Sequence, residues 1–293
     1  MIRIGVAGAG LIGKQHIDAI ARAPGVVLSA VFDPAIDDGP WPLAGDLADL
    51  AARSDGVILA VPNALHAPMA LELIAANCPM LIEKPLTGQA SEGEALVAAA
   101  GDVPILVGHH RRHNPLVAKA KDVLDAGTLG TLTTVHGHCW LPKPDHYFDA
   151  AWRQGSGAGP LFINLIHDVD MLMHLCGPIA QVQAFESNAV RGTQAEEVSV
   201  AILRFASGVL GTLNLADVAL GPWSWELTAG ENPAYPKTEQ FSYLIGGTHG
   251  SLSLPNLTLW SQDNGPDWWA PIHSSAVPVT PGDSLVAQIA HFA

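Results

Sequence analysis

Residues 2–13 read Ile2-Arg3-Ile4-Gly5-Val6-Ala7-Gly8-Ala9-Gly10-Leu11-Ile12-Gly13. A short apolar run stops at a Gly-x-Gly-x-x-Gly, and a helical stretch follows from Leu11 to Ala23. The bare pattern is weak, because glycine is common at turns. Its place, closing a strand and opening a helix, gives it chemical content. Gly8 permits a tight turn, Gly10 lets backbone N–H groups approach a pyrophosphate, and Gly13 lets helix and strand pack closely. The helix N-terminus, with Leu11 and Ile12, then faces the anion. An acid is expected about 20 residues further on, at the end of the second strand. Asp33, closing Val31-Phe32-Asp33, fills that place and is suited to accept both ribose hydroxyls. A carboxylate repels a 2′-phosphate and Pro34 offers no cation, so the pattern favours NAD over NADP.

Working outward, the chain has two textures. Up to about residue 120, apolar runs (Ile2–Val6, Val27–Phe32, Gly56–Val61, Met80–Ile82, Pro104–Gly108) alternate with alanine-rich helical stretches (Leu11–Ala23, Pro68–Ala76, Ser91–Ala100). Such alternation predicts an α/β domain whose parallel sheet is covered on both faces. Beyond Leu129 the pattern is mostly strand: Thr131–Trp140, Gln181–Ser187, Val198–Phe205, Val209–Leu215, Trp223–Thr228, Ser251–Leu254 and Leu257–Trp260. Ala206-Ser207-Gly208 reads as a hairpin turn, and one strong helix runs from Leu161 to Leu175. The expectation is a dinucleotide-binding domain over 1–120 and an α+β domain over 121–293. In the second domain, helices cover one face of a largely antiparallel sheet and leave the other face open.

Composition narrows the function. Lys+Arg total 14 against 28 Asp+Glu, a formal charge of −14. That argues against nucleic-acid or anionic-membrane partners, which need clustered cations. No apolar run approaches the roughly 18 residues of a spanning helix. The first strand begins at the N-terminus with no leader-like stretch before it, so a cytoplasmic address is expected. Cys78, Cys139 and Cys176 are odd in number and widely spaced, which reads as packed, reduced thiols.

Two further stations carry chemistry. Val61-Pro62-Asn63 and Glu83-Lys84-Pro85 each end a strand, on the sheet edge where parallel α/β folds bind ligands. The second station is Gly157–Asp170. There Asn164, His167, Asp168 and Met171 share one helix face at i, i+3, i+4 and i+7, while Asp170 lies on another. Polar groups on an otherwise apolar helix are costly unless they meet partners or ligand.

Gly8–Gly13, Asp33, Pro62-Asn63 with His66, Glu83-Lys84-Pro85, Trp152-Arg153 and Gly157–Asp170 occur in the order and spacing of one family. Together they resemble the Gfo/Idh/MocA oxidoreductases, named for glucose-fructose oxidoreductase and inositol dehydrogenase. The resemblance runs from Met1 almost to the C-terminus. It implies a Rossmann domain, an open-faced sheet domain, and a nicotinamide dinucleotide as cofactor. It implies a sugar or polyol substrate oxidised at a secondary hydroxyl. Lys84 would hydrogen-bond the reacting oxygen, a cis bond to Pro85 would bend the lysine inward, and His167 would be the general acid/base. The cofactor set would comprise the glycine turn, Asp33, Pro62, Asn63, His66, Glu83, Lys84, Trp152 and Arg153. Open sheets paired face to face would make a homodimer or homotetramer, consistent with apolar residues on both strand faces, as at Ile202-Leu203.

The chain also departs from the family. Many members carry an aspartate four residues before the histidine, a position held here by Ile163. Asn164, one place later, is a substrate-binding candidate but cannot take a proton, which leaves a Lys–His pair. Residues 34–54 are shorter than the usual helix–strand–helix passage, and the chain stops inside a helical stretch, Leu285–Phe292. Both features fit either a natively short form or an abridged sequence. Arg111, within His109-His110-Arg111-Arg112-His113, and Tyr147 complete the substrate-side candidates. The histidines of that run, with His136 and His138, lack a cysteine or carboxylate at ligand spacing, so no metal is expected. Two other readings stand beside the dehydrogenase: NAD-dependent glycoside cleavage without net redox change, and a dinucleotide-binding sensor without catalysis.

Overall fold

The computed structural model describes every residue except Ser156, and of Trp152 the backbone alone. The chain forms two compact units, residues 1–113 with 282–293, and residues 114–281.

In the first unit, β1 (Ile2–Ala7), α1 (Leu11–Arg22), β2 (Val26–Phe32), α2 (Leu47–Arg53), β3 (Gly56–Leu59), α3 (His66–Ala75), β4 (Met80–Ile82), α4 (Ala90–Ala100) and β5 (Ile105–Val107) alternate, with α2 in addition to the helices the sequence predicts. The five strands are parallel in the order β2-β1-β3-β4-β5. All residues of β3 and β4 are buried, the mark of a sheet covered on both faces. Between β2 and α2 the shortened passage contributes a single parallel bridge, Val31 to Leu43. Val31 N–H donates to the Pro42 carbonyl (2.8 Å), and Ala44 N–H to that of Val31 (2.9 Å). The C-terminal helix, Ser284–Phe292, returns to this unit rather than to the second. Asp283 caps it by accepting from Leu285 and Val286 N–H, and also pairs with Arg22 (2.6 Å). Ile289 of that helix is buried in one cluster with Ile4, Val6, Ile17, Ile20 and Leu81. Burial of an apolar face, rather than closeness in sequence, therefore decides to which unit this segment belongs.

The second unit opens with α5 (Pro115–Asp125), started by Asn114 as cap and Pro115 at the first turn. Then come β6 (Leu132–Trp140), α6 (Ile166–Cys176), β7 (Ile179–Ser187), β8 (Val198–Phe205), β9 (Leu210–Ala216), α7 (Trp225–Thr228), β10 (Tyr243–Gly247), β11 (Gly250–Leu254), β12 (Thr258–Ser261) and β13 (His273–Ala276). The eight-stranded order is β13-β12-β11-β10-β6-β9-β8-β7, antiparallel except for β6 beside β9. Gly208, with φ +91°, turns β8 into β9 as the hairpin reading expects. The predicted strand at Trp223–Thr228 is instead α7. Ser224 accepts from Leu227 N–H (3.3 Å), and Trp225, 1 % exposed, donates Nε1–H to Glu231 (2.7 Å). Local capping outweighs the aromatic strand signal there.

Val135, Cys139, Leu203, Phe205, Leu213 and Leu215 face a core shared with Met171, Leu172 and Leu175 of α6. The opposite sheet face exposes Phe185, Val200, Ile202, Leu210 and Leu244. Leu213 and Leu215 both point into the core, so the exposed apolar face is carried by their neighbours.

Candidate active site

In the first unit the site is a consequence of register. Phe32, Ala7, Leu59, Ile82 and Val107, the last residues of the five strands, lie side by side across the sheet. The residues that follow form the next row through Gly8 N–H to Phe32 O (2.8 Å), Ala60 N–H to Ala7 O (2.8 Å), Glu83 N–H to Leu59 O (2.9 Å) and Gly108 N–H to Ile82 O (2.7 Å). Asp33, the glycine turn, Pro62-Asn63, Glu83-Lys84 and the His109–His113 segment thus share one edge.

Two glycines are required by geometry. Gly8 has φ +91°, and a Cβ there would overlap the Ala60 carbonyl. At Gly13 a Cβ would overlap the carbonyl of Gly8, so the third glycine sets how closely α1 approaches the turn. Gly10 differs, since a Cβ would meet nothing within 4 Å. It is the N-cap of α1, whose first turn has no acid and no side-chain cap, and Leu11 and Ile12 behind it are exposed. Uncapped N–H groups at a helix start, beside open space, fit a pyrophosphate. Asp33 Oδ2 accepts from Ala9 N–H (2.8 Å) and Oδ1 from Ala35 N–H (3.0 Å), which locks the carboxylate against the turn. This donor and acceptor set fits a dinucleotide with a free ribose diol.

Pro62 and Asn63 are exposed and open a short turn. His66 is fully buried. Its Nδ1 lies 2.8 Å from the Pro85 carbonyl and its Nε2 3.0 Å from that of Val61. The ring braces the end of β3 to the Lys84–Pro85 bond, which is cis. A neutral imidazole donates to one of these carbonyls and an imidazolium to both. Glu83 Oε1 is 2.8 Å from Nε2 of the buried His16, and Oε2 accepts from Lys84 N–H (3.1 Å). Burial by itself raises the Glu83 carboxyl, but the hydrogen bond and charge of His16 and the Lys84 N–H outweigh it and hold the group below its ordinary range. Lys84 is half-buried beside this ionised carboxylate. Arg111 is 3 % exposed, inside the short turn His110–His113, and the His113 ring packs 5.0 Å from that of His291.

In the second unit the expected helix from Leu161 splits into a wide π-type turn over Leu161–Leu165 and the regular α6. His167 and Met171 keep their shared helical face, whereas Asn164 sits in the wide turn and is shifted from the position that 3.6-residue spacing gives it. His167 is 9 % exposed, Asp168 and Met171 are fully buried, and Asp170 is also buried. The Asn164 amide oxygen is buried with no hydrogen-bond donor near it. Arg153 lies 4.1 Å over the Tyr147 ring and donates to the Tyr147 carbonyl (2.7 Å), so these two candidates form one knot. The Trp152 side chain lies outside the described residues.

The sequence reading missed what holds these parts. Glu196 accepts from Leu161 N–H (2.9 Å) at the start of the wide turn. Lys143, Arg191, Glu197 and Asp217 form a largely buried charge group, with Arg191 2.7 Å and Lys143 3.4 Å from Asp217. Burial lowers the Lys143 ammonium, with Asp217 opposing that shift. The one available signal was the acidic pair Glu196-Glu197 set directly before an apolar strand. On the open sheet face, Nε2 of His136 and Nε2 of His138 lie 2.9 Å apart. No three His, Cys, Asp or Glu side chains gather as a metal site among the described residues. Among the same residues no helix is long and apolar enough to cross a membrane.

Comparison with known proteins follows the same division. Residues 2–108 match the oxidoreductase family with an NAD-binding Rossmann fold, and residues 117–253 match the GFO/IDH/MocA C-terminal domain. The rhizopine catabolism protein MocA of Rhizobium meliloti is 30 % identical over 60 % of this chain and 57 % of its own length. Inositol 2-dehydrogenase 4 of Saccharopolyspora erythraea is 30 % identical over 73 % of this chain and 66 % of its own. The chain therefore spans less than two thirds of either relative. Among solved structures, the WlbA dehydrogenase from Bordetella pertussis, in complex with NADH and UDP-GlcNAcA, superposes with a TM-score of 0.68. It is 26 % identical, with 86 % of this chain and 73 % of that one covered.

Proposed function

The chain belongs to the Gfo/Idh/MocA oxidoreductases, and from that premise we propose that it is an NAD-dependent dehydrogenase acting on a secondary hydroxyl of a sugar, polyol or related small molecule. The observation that carries this reading is the strand-end row. One sheet edge presents an open helix N-terminus at Gly10, a fixed carboxylate at Asp33 and an ammonium at Lys84. An anion-binding turn and a ribose acceptor beside a cation suit a dinucleotide whose partner substrate gains negative charge on oxygen. Relatives named for inositol oxidation, and a structure holding NADH with a nucleotide sugar, support the substrate class.

Bound NAD would supply the hydride acceptor. Gly8–Gly13 and α1 would hold its pyrophosphate and Asp33 its ribose, with Pro62, Asn63, Trp152 and Arg153 as further contacts. Lys84 stabilises the substrate oxygen as it becomes alkoxide-like, the task a metal performs in other dehydrogenases. His167 takes the hydroxyl proton at a ring nitrogen. Ile163 places no carboxylate at that position to relay the proton. Asn164 presents its buried amide oxygen to a neighbouring substrate hydroxyl, which supplies the missing donor. His66 and Glu83 act indirectly, by fixing the two loops from which Asn63 and Lys84 project.

Purified protein incubated with NAD and a panel of inositols, sugars and sugar acids tests the reading. NADH accumulating with a free polyol or sugar supports it. Release of an aryl leaving group from a glycoside with no NADH formed replaces it with glycoside cleavage, and NAD binding without turnover on any of these replaces it with a sensor.

Two extensions of the proposal concern assembly and cellular setting. Phe185 opposes Val200 across β7 and β8, with Ile202, Leu210 and Leu244 on the same side of the sheet. A second copy of this chain is proposed to cover these residues. Light scattering at micromolar concentration then reports a dimer or tetramer, and Ile202→Glu shifts it towards monomer. A reducing, cytoplasmic setting is proposed from the three buried thiols, of which Cys176 is pushed up to about 11 by burial. Cell fractionation checks the compartment.

A further inference from the structure

We propose that Glu196 is a positioning residue for the proton-transfer segment, and that loop 188–197 is a strap fixing the wide turn that carries Asn164 and leads into His167. This rests on the reading of Asn164 and His167 as substrate-facing groups.

A π-type turn is a rare alternative to an α-helical one and occurs mostly as a single turn at functional sites. Its first N–H groups also lack intrahelical acceptors. Here Leu161 N–H donates to Glu196 Oε1 at 2.9 Å, a charge-assisted bond from outside the helix. Gly159 lies directly beside this bond. Its φ is not in the left-handed region, so backbone freedom does not demand glycine. A Cβ there would meet the far end of the Glu196 side chain, so the carboxylate keeps its present place only while residue 159 is glycine. The glycine and the acid are two halves of one arrangement.

The strap is itself anchored. Glu197, 1 % exposed, accepts from Val190 N–H (2.9 Å) and Arg191 N–H (2.5 Å), which closes the loop on itself. Arg191 pairs with the buried Asp217 (2.7 Å) and donates to its carbonyl (3.0 Å), while Asp217 N–H donates to Glu197 O (3.0 Å). The same loop reaches the other candidate segment, through Gln194 N–H to Gln154 O (3.1 Å) and the Arg191 guanidinium 4.0 Å over the Phe148 ring. The segment bearing Tyr147 and Arg153 and the turn bearing Asn164 thus hang from one loop. Breaking a buried ion pair destabilises strongly, so Glu196 rather than Glu197 or Asp217 is the position where the positioning role can be separated from folding.

The experiment compares Glu196→Ala, Glu196→Gln, Gly159→Ala and the double variant Gly159→Ala/Glu196→Ala in the full chain. Amide hydrogen exchange over 161–165 and the steady-state constants for NAD-linked oxidation are measured for each. Glu196→Ala should speed exchange in 161–165 while exchange over residues 1–113 stays at the wild-type rate. It should lower kcat by about 10- to 100-fold, the scale of a displacement near 1 Å. KM for NAD should change much less than kcat, because the glycine turn and Asp33, which hold the pyrophosphate and ribose, lie in the first unit. Glu196→Gln keeps an acceptor oxygen and should restore most of the rate. Gly159→Ala should reproduce Glu196→Ala by displacing the carboxylate, and the double variant should be no worse than either single one. Additive losses, unchanged exchange in Glu196→Ala, or faster exchange with unchanged kcat would each overturn the proposal. If the wild type reduces NAD with no substrate, the functional reading fails, and the exchange arm still decides whether Glu196 holds the turn.

Discussion

The two units hold their functional groups in different ways. In the first, Asp33, Gly8, Glu83 and Gly108 stand in one row because five parallel strands end in register, and backbone hydrogen bonds carry that row from strand to strand. In the second, the wide turn at Leu161–Leu165 is held by a side chain 35 residues away, and that side chain sits on a loop closed by buried charges. The first arrangement follows from the fold and tolerates change of most side chains. The second depends on a few particular side chains, so that single substitutions can move it.

The largest effects are expected at the two residues proposed to react, Lys84 and His167. Lys84→Met removes the charge that stabilises the substrate oxygen and should lower turnover by about 10²–10³-fold. NAD affinity should stay near wild type, since the glycine turn and Asp33 are untouched. His167→Ala should cost about 10²–10⁴-fold. Isothermal titration with NAD beside steady-state kinetics separates binding from chemistry. If His167→Ala turns over the true substrate at a near-normal rate, the base lies elsewhere, with Tyr147 or His110 the next candidates. Gly13→Ala sharpens the contrast, because its Cβ meets the Gly8 carbonyl rather than a movable side chain. It should abolish measurable NAD binding and lower the melting temperature of the first unit.

This difference also explains what the sequence discloses. Ile2–Gly13 and Val31–Asp33 are local patterns whose three-dimensional outcome is set by strand period and helix capping, so the Rossmann unit is legible almost element by element. Glu83-Lys84-Pro85 and the run from Ile163-Asn164 to His167 locate both stations by resemblance. Geometry beyond the local pattern is not legible. Nothing near Leu161 announces a wide turn, because its support is Glu196. His66 reads as a ligand contact, yet burial makes it a brace between two carbonyls. The C-terminal helix reads as part of the second domain, yet Ile289 packs beneath β1 and β4 residues of the first. Trp223–Thr228 reads as a strand until Ser224 caps it.

Cofactor choice probes the first unit at intermediate scale. Asp33 is held by Ala9 and Ala35 N–H, so its carboxylate cannot swing away from a 2′-phosphate. Wild type should prefer NAD in kcat/KM. Asp33→Ala should lose roughly 10- to 100-fold of NAD efficiency, the scale of hydrogen bonds to a charged group, and should narrow or erase the gap to NADP. A wild-type preference for NADP would remove Asp33 from the ribose site.

The smallest effect tests whether the Lys84 loop is held by backbone alone. Glu83, like Asp33, has both carboxylate oxygens bound, here to His16 and to Lys84 N–H. Its carboxyl lies below its ordinary range in the folded chain, so the unfolded chain binds the proton more tightly. Its contribution to stability is therefore full above the ordinary value of 4.5 and is lost as pH falls below that value and through the lower folded one. Glu83→Gln keeps the shape and removes the ionisable group. Its melting temperature should fall about 2–4 °C below wild type at neutral pH, the shift that ~1 kcal/mol produces in a chain of this size. The two curves should converge as the pH drops below 4.5. Should they stay parallel into acid, the carboxylate charge is not what secures the loop, and the backbone bond from Glu83 N–H to Leu59 O carries it with the neighbouring brace of His66.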